Sequence, residues 1–307
     1  MKILVATQKP FAKAATDGII RIAAENGHSV TLLEKYEGQE QLIAAVADAD
    51  ALIVRSDKVT AAVVEAAPNL KIVVRAGAGF DNLDLEACSA HKVVAMNTPG
   101  QNSNAVAELA IGLMIYMNRN QFTPGTGREL KGKTIGIQAY GNVGRLVGAL
   151  AQGFGMKVLA FDPFLSAEKI EATGAEVASS LEELYSKSDF VSLHIPATEQ
   201  TKGSIGYDLV SRMPKGGCLI NTARKEVIDE EGLARILSER EDLRYVADVA
   251  PERAAEFAEK FGARYFATPK KMGAETAEAN VNAGLAAASQ ICGFFATGDT
   301  KFQLNRF

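Results

Sequence analysis

Lys133 to Asp162 reads K-T-I-G-I-Q-A-Y-G-N-V-G-R-L-V-G-A-L-A-Q-G-F-G-M-K-V-L-A-F-D, and the order of its elements decides the fold. A β-type apolar run, Thr134 to Gln138, meets a Gly-bearing turn. A helical apolar pattern follows on Val143, Leu146, Val147 and Leu150, and a second apolar run, Val158 to Phe161, ends on Asp162. Strand, turn, helix and strand in this order predict a dinucleotide-binding βαβ unit. Within the turn Tyr140-Gly141-Asn142-Val143-Gly144, Gly141 lets the backbone approach a pyrophosphate and Gly144 lets the helix pack close to the strand. The helix N-terminus offers unpaired N–H groups and partial positive charge to phosphates. Asp162 stands 21 residues past Gly141, where the pattern wants an acid for the ribose hydroxyls. A carboxylate there repels a 2′-phosphate, so NAD is expected over NADP. Ala139 departs from the pattern, since it stands where the first Gly belongs. Its Cβ either weakens cofactor binding or is tolerated by the turn.

Working outward, 307 residues suit two domains and a large core. A net charge of −4 points to neither nucleic acid nor an anionic membrane. No apolar run approaches the roughly 20 residues of a membrane span. The N-terminal M-K-I-L-V-A-T is too short for a signal peptide and reads as a first strand. Cys88, Cys218 and Cys292 fit neither a disulfide framework nor a zinc site, and predict reduced thiols in a cytoplasmic protein with no metal. Only His28, His91 and His194 are present.

Short apolar runs at Ile3–Ala6, Val30–Leu33, Ala51–Arg55, Ile72–Val74 and Val93–Met96 alternate with helical patterns, the first over Phe11–Glu25. Beyond Asp162, further runs fall at Val177, Phe190–Leu193, Cys218–Asn221, Tyr245–Val249 and Arg264–Thr268. The alternation predicts parallel sheets covered by helices on both faces, an α/β protein of doubly wound domains. Helical patterns over Asn102–Met117 and Ala277–Phe295 bracket the second set of strands. A polar loop over 118–130 precedes the dinucleotide unit.

Strand ends carry the polar residues. Arg55-Ser56-Asp57-Lys58 follows A-L-I-V, and Arg75-Ala76-Gly77-Ala78-Gly79 follows K-I-V-V. Ligands of open α/β sheets sit beyond the carboxyl ends of strands. Two guanidiniums, Ser56 and the Gly77 and Gly79 amides there suit an anionic ligand.

Four segments carry a family resemblance: V-V-R-A-G-A-G-F-D-N, N-T-P-G-Q-N-S-N-A-V-A-E-L-A, V-S-L-H-I-P and L-I-N-T-A-R-K-E-V-I-D-E-E-G-L. In this order they resemble the D-2-hydroxyacid dehydrogenases. The resemblance implies a flavodoxin-like substrate domain, residues 1–97 completed by a C-terminal helix over 282–307. It implies a Rossmann NAD domain over 98–281, an active site in the cleft, and a homodimer formed through the NAD domain. His194, Ile195, Pro196, Thr222, Ala223, Gly273 and Ala274 would line the cofactor, with Asp248 on its nicotinamide side. The family's catalytic arginine maps onto Arg224, a permanent cation suited to hold a carboxylate and polarise a carbonyl.

The catalytic histidine is missing. The family's T-P-H-x-G-A is here Thr268-Pro269-Lys270-Lys271-Met272-Gly273-Ala274, one residue longer. Counting back from Gly273 places Lys271 in the histidine's position; counting forward from Pro269 places Lys270 there. Lys271 is preferred because the Gly-Ala segment holds register against the cofactor. The family's acid five residues after Asp248 is here Arg253, and Glu252 falls one short. A lysine base has no use for an acidic partner, which would raise its pKa; burial and a nearby Arg224 are expected to lower it. A lysine in this place resembles the short, lysine-type D-3-phosphoglycerate dehydrogenases, and the end at Phe307 is expected to leave no regulatory domain. The resulting expectation is NAD-dependent oxidation of D-3-phosphoglycerate to 3-phosphohydroxypyruvate, the first step toward serine. The alternatives are a reductase of glyoxylate, hydroxypyruvate or another D-2-hydroxyacid, and a non-catalytic NAD-binding scaffold.

Overall fold

The computed structural model describes residues 1–307. The chain divides into two units, residues 1–102 with 275–307, and residues 103–274.

In the first unit, five strands form one parallel sheet: β1 (Lys2–Thr7), β2 (Ser29–Glu34), β3 (Ala51–Val54), β4 (Ile72–Arg75) and β5 (Val94–Asn97). Their order is β2-β1-β3-β4-β5, the flavodoxin-like order, with its switch point between β1 and β3. Side chains alternate faces along a strand, and the core follows. Ile3, Val5, Ile53 and Val74 pack on one face beneath Ile19, Ala287 and Ile291, while Leu4, Ala6, Leu52 and Val73 pack on the other with Leu42, Val46 and Val63. The long helix Ala277–Thr297 lies against Lys13–Glu25. Glycines permit the close approach: a Cβ on Gly18 would stand 2.3 Å from a methyl of Leu285. The C-terminal tail closes the exposed edge of β5. Leu304 donates its N–H to the Ala95 carbonyl, and buried Asn305 bonds Ala95 N–H, the Val93 carbonyl and Ser89.

In the second unit, seven strands form a second parallel sheet: β6 (Thr134–Gln138), β7 (Lys157–Phe161), β8 (Glu176–Val177), β9 (Phe190–Leu193), β10 (Cys218–Asn221), β11 (Arg244–Ala247) and β12 (Tyr265–Ala267). The order β12-β11-β10-β9-β6-β7-β8 reverses at β6, which puts this sheet's switch point beside the end of β6. One core holds Leu159, Val191, Leu193, Leu219 and Tyr245; the other holds Ile135, Ile137, Val158, Ile220 and Val246. Both faces are covered, as continuous apolar strands require. The two doubly wound parallel sheets are those the alternation predicts. The bounds of several strands shift by a residue, and β11 stops two residues early, at Ala247 and not Val249: the Asp248 N–H still bonds the Asn221 carbonyl, but its own carbonyl turns to the Thr268 hydroxyl. No helix is long and apolar enough to cross a membrane.

Candidate active site

The dinucleotide turn is built on strain and close packing. Ala139 adopts φ +71°, a left-handed conformation that glycine takes at little cost. Its N–H is held by the Phe161 carbonyl at 2.9 Å. The 12-residue helix Asn142–Gly153 begins directly afterwards, with Gly141 as its N-cap. A Cβ on Gly144 would lie 2.3 Å from the Ala139 carbonyl oxygen, so this glycine is required by helix–strand packing. A Cβ on Gly141 would meet nothing within 4 Å; that side of the turn is open to a ligand. Asp162 follows β7. Its Oδ2 accepts the Tyr140 N–H at 2.8 Å and its Oδ1 the Phe164 N–H at 2.9 Å, leaving lone pairs for further donors. Exposed Asn142 and half-buried Val143 complete the turn.

Tyr140 contributes only its backbone here. Its ring is fully buried, its hydroxyl bonds Thr173 Oγ1 at 2.9 Å, and Gly148 makes room for it. At the end of β9, His194 donates its N–H to the Gln138 carbonyl, and its Nε2 lies 3.0 Å from Ser192 Oγ. Burial pushes the imidazole down to about 3, which keeps it neutral. Ile195 is buried and Pro196 exposed.

The neighbouring strand ends carry the candidate reactive groups. After β10, Asn221 clamps the Thr222-Ala223-Arg224 turn, accepting the Ala223 N–H and donating to the Arg224 carbonyl. Arg224 is exposed and spends one N–H on the Ala223 carbonyl at 2.8 Å. Thr222 Oγ1 is buried with no partner in the protein. An orphaned hydroxyl is costly unless a ligand completes it. Together with the open Gly141 face and the spare lone pairs of Asp162, it fits a dinucleotide bound along these strand ends.

Asp248, after β11, is fully buried and accepts from Thr268 Oγ1, Met272 N–H and Gly273 N–H. Lys270 and Lys271 lie between, on an exposed segment after β12, and Ala274 is half-buried. The burial expected for Lys271 is therefore not found: Pro269 to Met272 form a surface segment, anchored through Thr268, Met272 and Gly273. Arg224, Asp248 and Lys271 thus come from three adjacent strand ends on the same side of one sheet. Glu252, the displaced acid, pairs with Lys225 at 3.3 Å, and Arg253 pairs with Glu256.

In the first unit the arginines at the ends of β3 and β4 already have work. Arg55 donates to the Lys9 and Pro10 carbonyls and to Asn280 Oδ1, with its guanidinium 5.3 Å from the Phe11 ring centroid. Arg75 donates to the Arg55 carbonyl at 3.0 Å and the Gly79 carbonyl at 3.2 Å. Gly77 is needed for that seat, because a Cβ would stand 2.2 Å from Arg75 Nη1. The free amide expected at Gly77 is not available: it is donated to Thr98 Oγ1 at 2.7 Å, a buried hydroxyl that itself needs a partner. Ser56 is exposed.

Asp57 was not singled out from the sequence. It is buried and accepts from Gln8 N–H, the Tyr36 hydroxyl and Arg55 N–H, which ties the turn after β1 to the end of β3. Burial, reinforced by this bond, raises the Tyr36 phenol well above its ordinary range. Thr268 likewise carries no signal of its own beyond its place in the strand-end motif. For both, the available signal was a short polar residue just beyond an apolar strand. Thiol chemistry has no support, since burial pushes Cys88 up to about 11 and Cys218 up to about 12.

Comparison with known proteins places the chain among relatives of one family. The family described as D-isomer specific 2-hydroxyacid dehydrogenase, NAD binding domain, matches residues 111–271. A D-3-phosphoglycerate dehydrogenase of Methanocaldococcus jannaschii is 36% identical over 267 residues, covering 82% of this chain and 51% of that protein. A hydroxypyruvate reductase of Thermotoga maritima is 37% identical over 238 residues, 73% of this chain and 75% of that protein. Among solved structures, the NAD+-bound 3-phosphoglycerate dehydrogenase of Entamoeba histolytica is 53% identical, with TM-score 0.86, 100% of this chain and 99% of that one covered. The chain spans about half the length of the M. jannaschii relative.

Proposed function

Because the chain belongs to the D-isomer specific 2-hydroxyacid dehydrogenases, we propose that it oxidises D-3-phosphoglycerate to 3-phosphohydroxypyruvate with NAD. The observation that carries this reading is the delivery of Arg224 and Lys271 by strand ends β10 and β12 of the sheet that bears the dinucleotide turn.

The residues divide the work. The N–H groups at Gly141, Asn142 and Val143 hold the pyrophosphate, Asp162 accepts the ribose hydroxyls, and Thr222, Ala223, His194, Ile195, Pro196, Gly273 and Ala274 line the cofactor. The Asp162 carboxylate selects NAD, because it would repel a 2′-phosphate. When bound, the nicotinamide supplies the acceptor for the hydride on C2. Lys271, in its neutral form, takes the hydroxyl proton of the substrate. Arg224 holds the carboxylate and stabilises the C2 oxygen as it becomes a carbonyl. Arg55, Ser56 and Arg75, with the Gly79 amide, serve the first unit's anion site and bind the phosphate. Gly77 contributes by seating Arg75.

The same reading takes residues 1–97 with the C-terminal helix over 282–307 as the substrate domain and 98–281 as the NAD domain, close to the observed division into 1–102 with 275–307 and 103–274. It takes the working form as a homodimer in the cytoplasm, where Cys88, Cys218 and Cys292 would stay reduced; all three are free and buried.

Lys271→Met tests the assignment. Turnover should fall by at least about 100-fold, while NAD affinity, measured by fluorescence titration, stays within about twofold, since the change removes a base and no proposed cofactor contact. Full activity in this variant would sink the role of Lys271.

A further inference from the structure

We propose that Asp248 is a positioning residue for the proposed base, fixing the lysine-bearing segment 268–273 through a carboxylate that grips both of its ends. The proposal rests on the reading of Lys271 given above but goes beyond it, because it assigns Asp248 a task inside the protein.

The grip is visible in the bonds. At the N-terminal end of the segment, Thr268 Oγ1 lies 3.0 Å from Asp248 Oδ1 and 2.8 Å from the Asp248 carbonyl, while the Thr268 N–H is held by the Ala247 carbonyl. At the C-terminal end, the Met272 N–H reaches Oδ1 at 2.8 Å and the Gly273 N–H reaches Oδ2 at 2.7 Å. Only Pro269, Lys270 and Lys271 lie between the anchors, and proline fixes one of the few free torsions. Pro269 to Met272 are all exposed, so burial does not order them, and the carboxylate contributes bonds at both ends of the segment.

The chemistry requires an acid. Two successive main-chain N–H groups and a hydroxyl converge on one side chain, and a carboxylate is the group that accepts on both oxygens. An asparagine would turn an NH2 toward one of these donors. The seat also explains Gly273: a Cβ there would stand 2.8 Å from Asp248 Oδ2 and 3.2 Å from a methyl of Val106. Lys271 directly precedes the two clamped amides, whereas Lys270 follows a proline. The clamp therefore fixes the backbone of Lys271 more tightly, and it absorbs the extra residue of this segment on the Lys270 side. Oδ1 takes two donors and Oδ2 one, which leaves a lone pair for a ligand amide.

The test is amide hydrogen exchange of wild type and Asp248→Asn, followed on peptides covering 269–274, with turnover measured in parallel. Loss of the clamp should speed exchange in that segment about tenfold or more while β6 to β10 keep their protection. Turnover of D-3-phosphoglycerate should show kcat lowered on the order of 10- to 100-fold with KM changed far less, because a misplaced base is a transition-state loss. Unchanged exchange over 269–274 in Asp248→Asn, or a clamp lost with kcat intact, overturns the proposal. Thr268→Val, which removes one donor and keeps the shape, serves if Asp248→Asn does not fold; it should speed exchange of the segment several-fold, and unchanged exchange there also overturns it. If wild type does not oxidise phosphoglycerate at all, the substrate reading fails, while the exchange result still decides whether Asp248 orders the segment.

Discussion

Gly144→Ala concentrates the physics of the dinucleotide turn in one methyl group. Its Cβ would lie 2.3 Å from the Ala139 carbonyl oxygen and 3.1 Å from Ile137 Cγ2. Non-bonded carbon and oxygen do not approach within about 3 Å, so helix or turn must move by roughly 0.7 Å. The obstacle is backbone, and Ala139 has little freedom to retreat: it already sits at φ +71° with its N–H bonded to Phe161. Overpacking of this kind costs about 1–3 kcal/mol, and an immovable partner places it at about 2–3 kcal/mol. For a unit of this size that is a loss of roughly 4–12 °C in melting temperature. The displaced helix N-terminus should also weaken NAD binding about tenfold. Gly141→Ala is the control, because its Cβ meets nothing within 4 Å. Its stability should stay within about 0.5 kcal/mol of wild type, while NAD affinity falls, since the methyl occupies the side of the turn facing the ligand. Thermal melts and NAD titrations of both variants read these effects. A Gly144→Ala protein that melts within about 1 °C of wild type and binds NAD normally would refute the packing argument.

Ala139→Gly should act in the opposite sense. Relief of a left-handed alanine is worth about 1–2 kcal/mol, offset by about 0.4–1 kcal/mol of chain entropy, so denaturant melts should show a net gain of about 0.5–1 kcal/mol; a loss would show that the turn is not strained. His194 titrates at about 3 in the folded chain against an ordinary 6.5, so the unfolded chain binds the extra proton first. Its contribution is fully present above pH 6.5 and is lost as pH falls toward 3. Because part of the residue remains at the surface, His194→Gln should remove only about 1–2 kcal/mol of the stability lost between pH 7 and 5, read by urea melts at each pH. Asn305→Ala strands the Ala95 N–H and the Val93 carbonyl beneath the tail and should cost about 2–3 kcal/mol of stability; a melt unchanged from wild type would show that the tail is not anchored there.

The sheets were legible because buried parallel strands announce themselves as short apolar runs and their ends as breaks into polar residues. Gly144 was legible for a related reason, since its need for closeness is written in glycine itself. Asp248 was read as a residue at a strand end, but its partners were hidden: two of its three donors are main-chain N–H groups, which every residue carries. The same blindness produced the free amide at Gly77, which Thr98 takes. Tyr140 shows another limit. Its position in the turn was correct, yet which way the ring points depends on space left by Gly148, eight residues along and in the second turn of the following helix.

The account turns on substrate and base together, and NADH formation from NAD+ with D-3-phosphoglycerate, beside D-glycerate and D-lactate over a range of pH, tests both at once. A rate specific to the phosphorylated acid and rising with pH is predicted, because Arg55 and Arg75 are proposed to bind the phosphate and the proposed base, Lys271, must be neutral to act. Oxidation of the unphosphorylated acids at equal or greater rates, with phosphoglycerate inert, would contradict it.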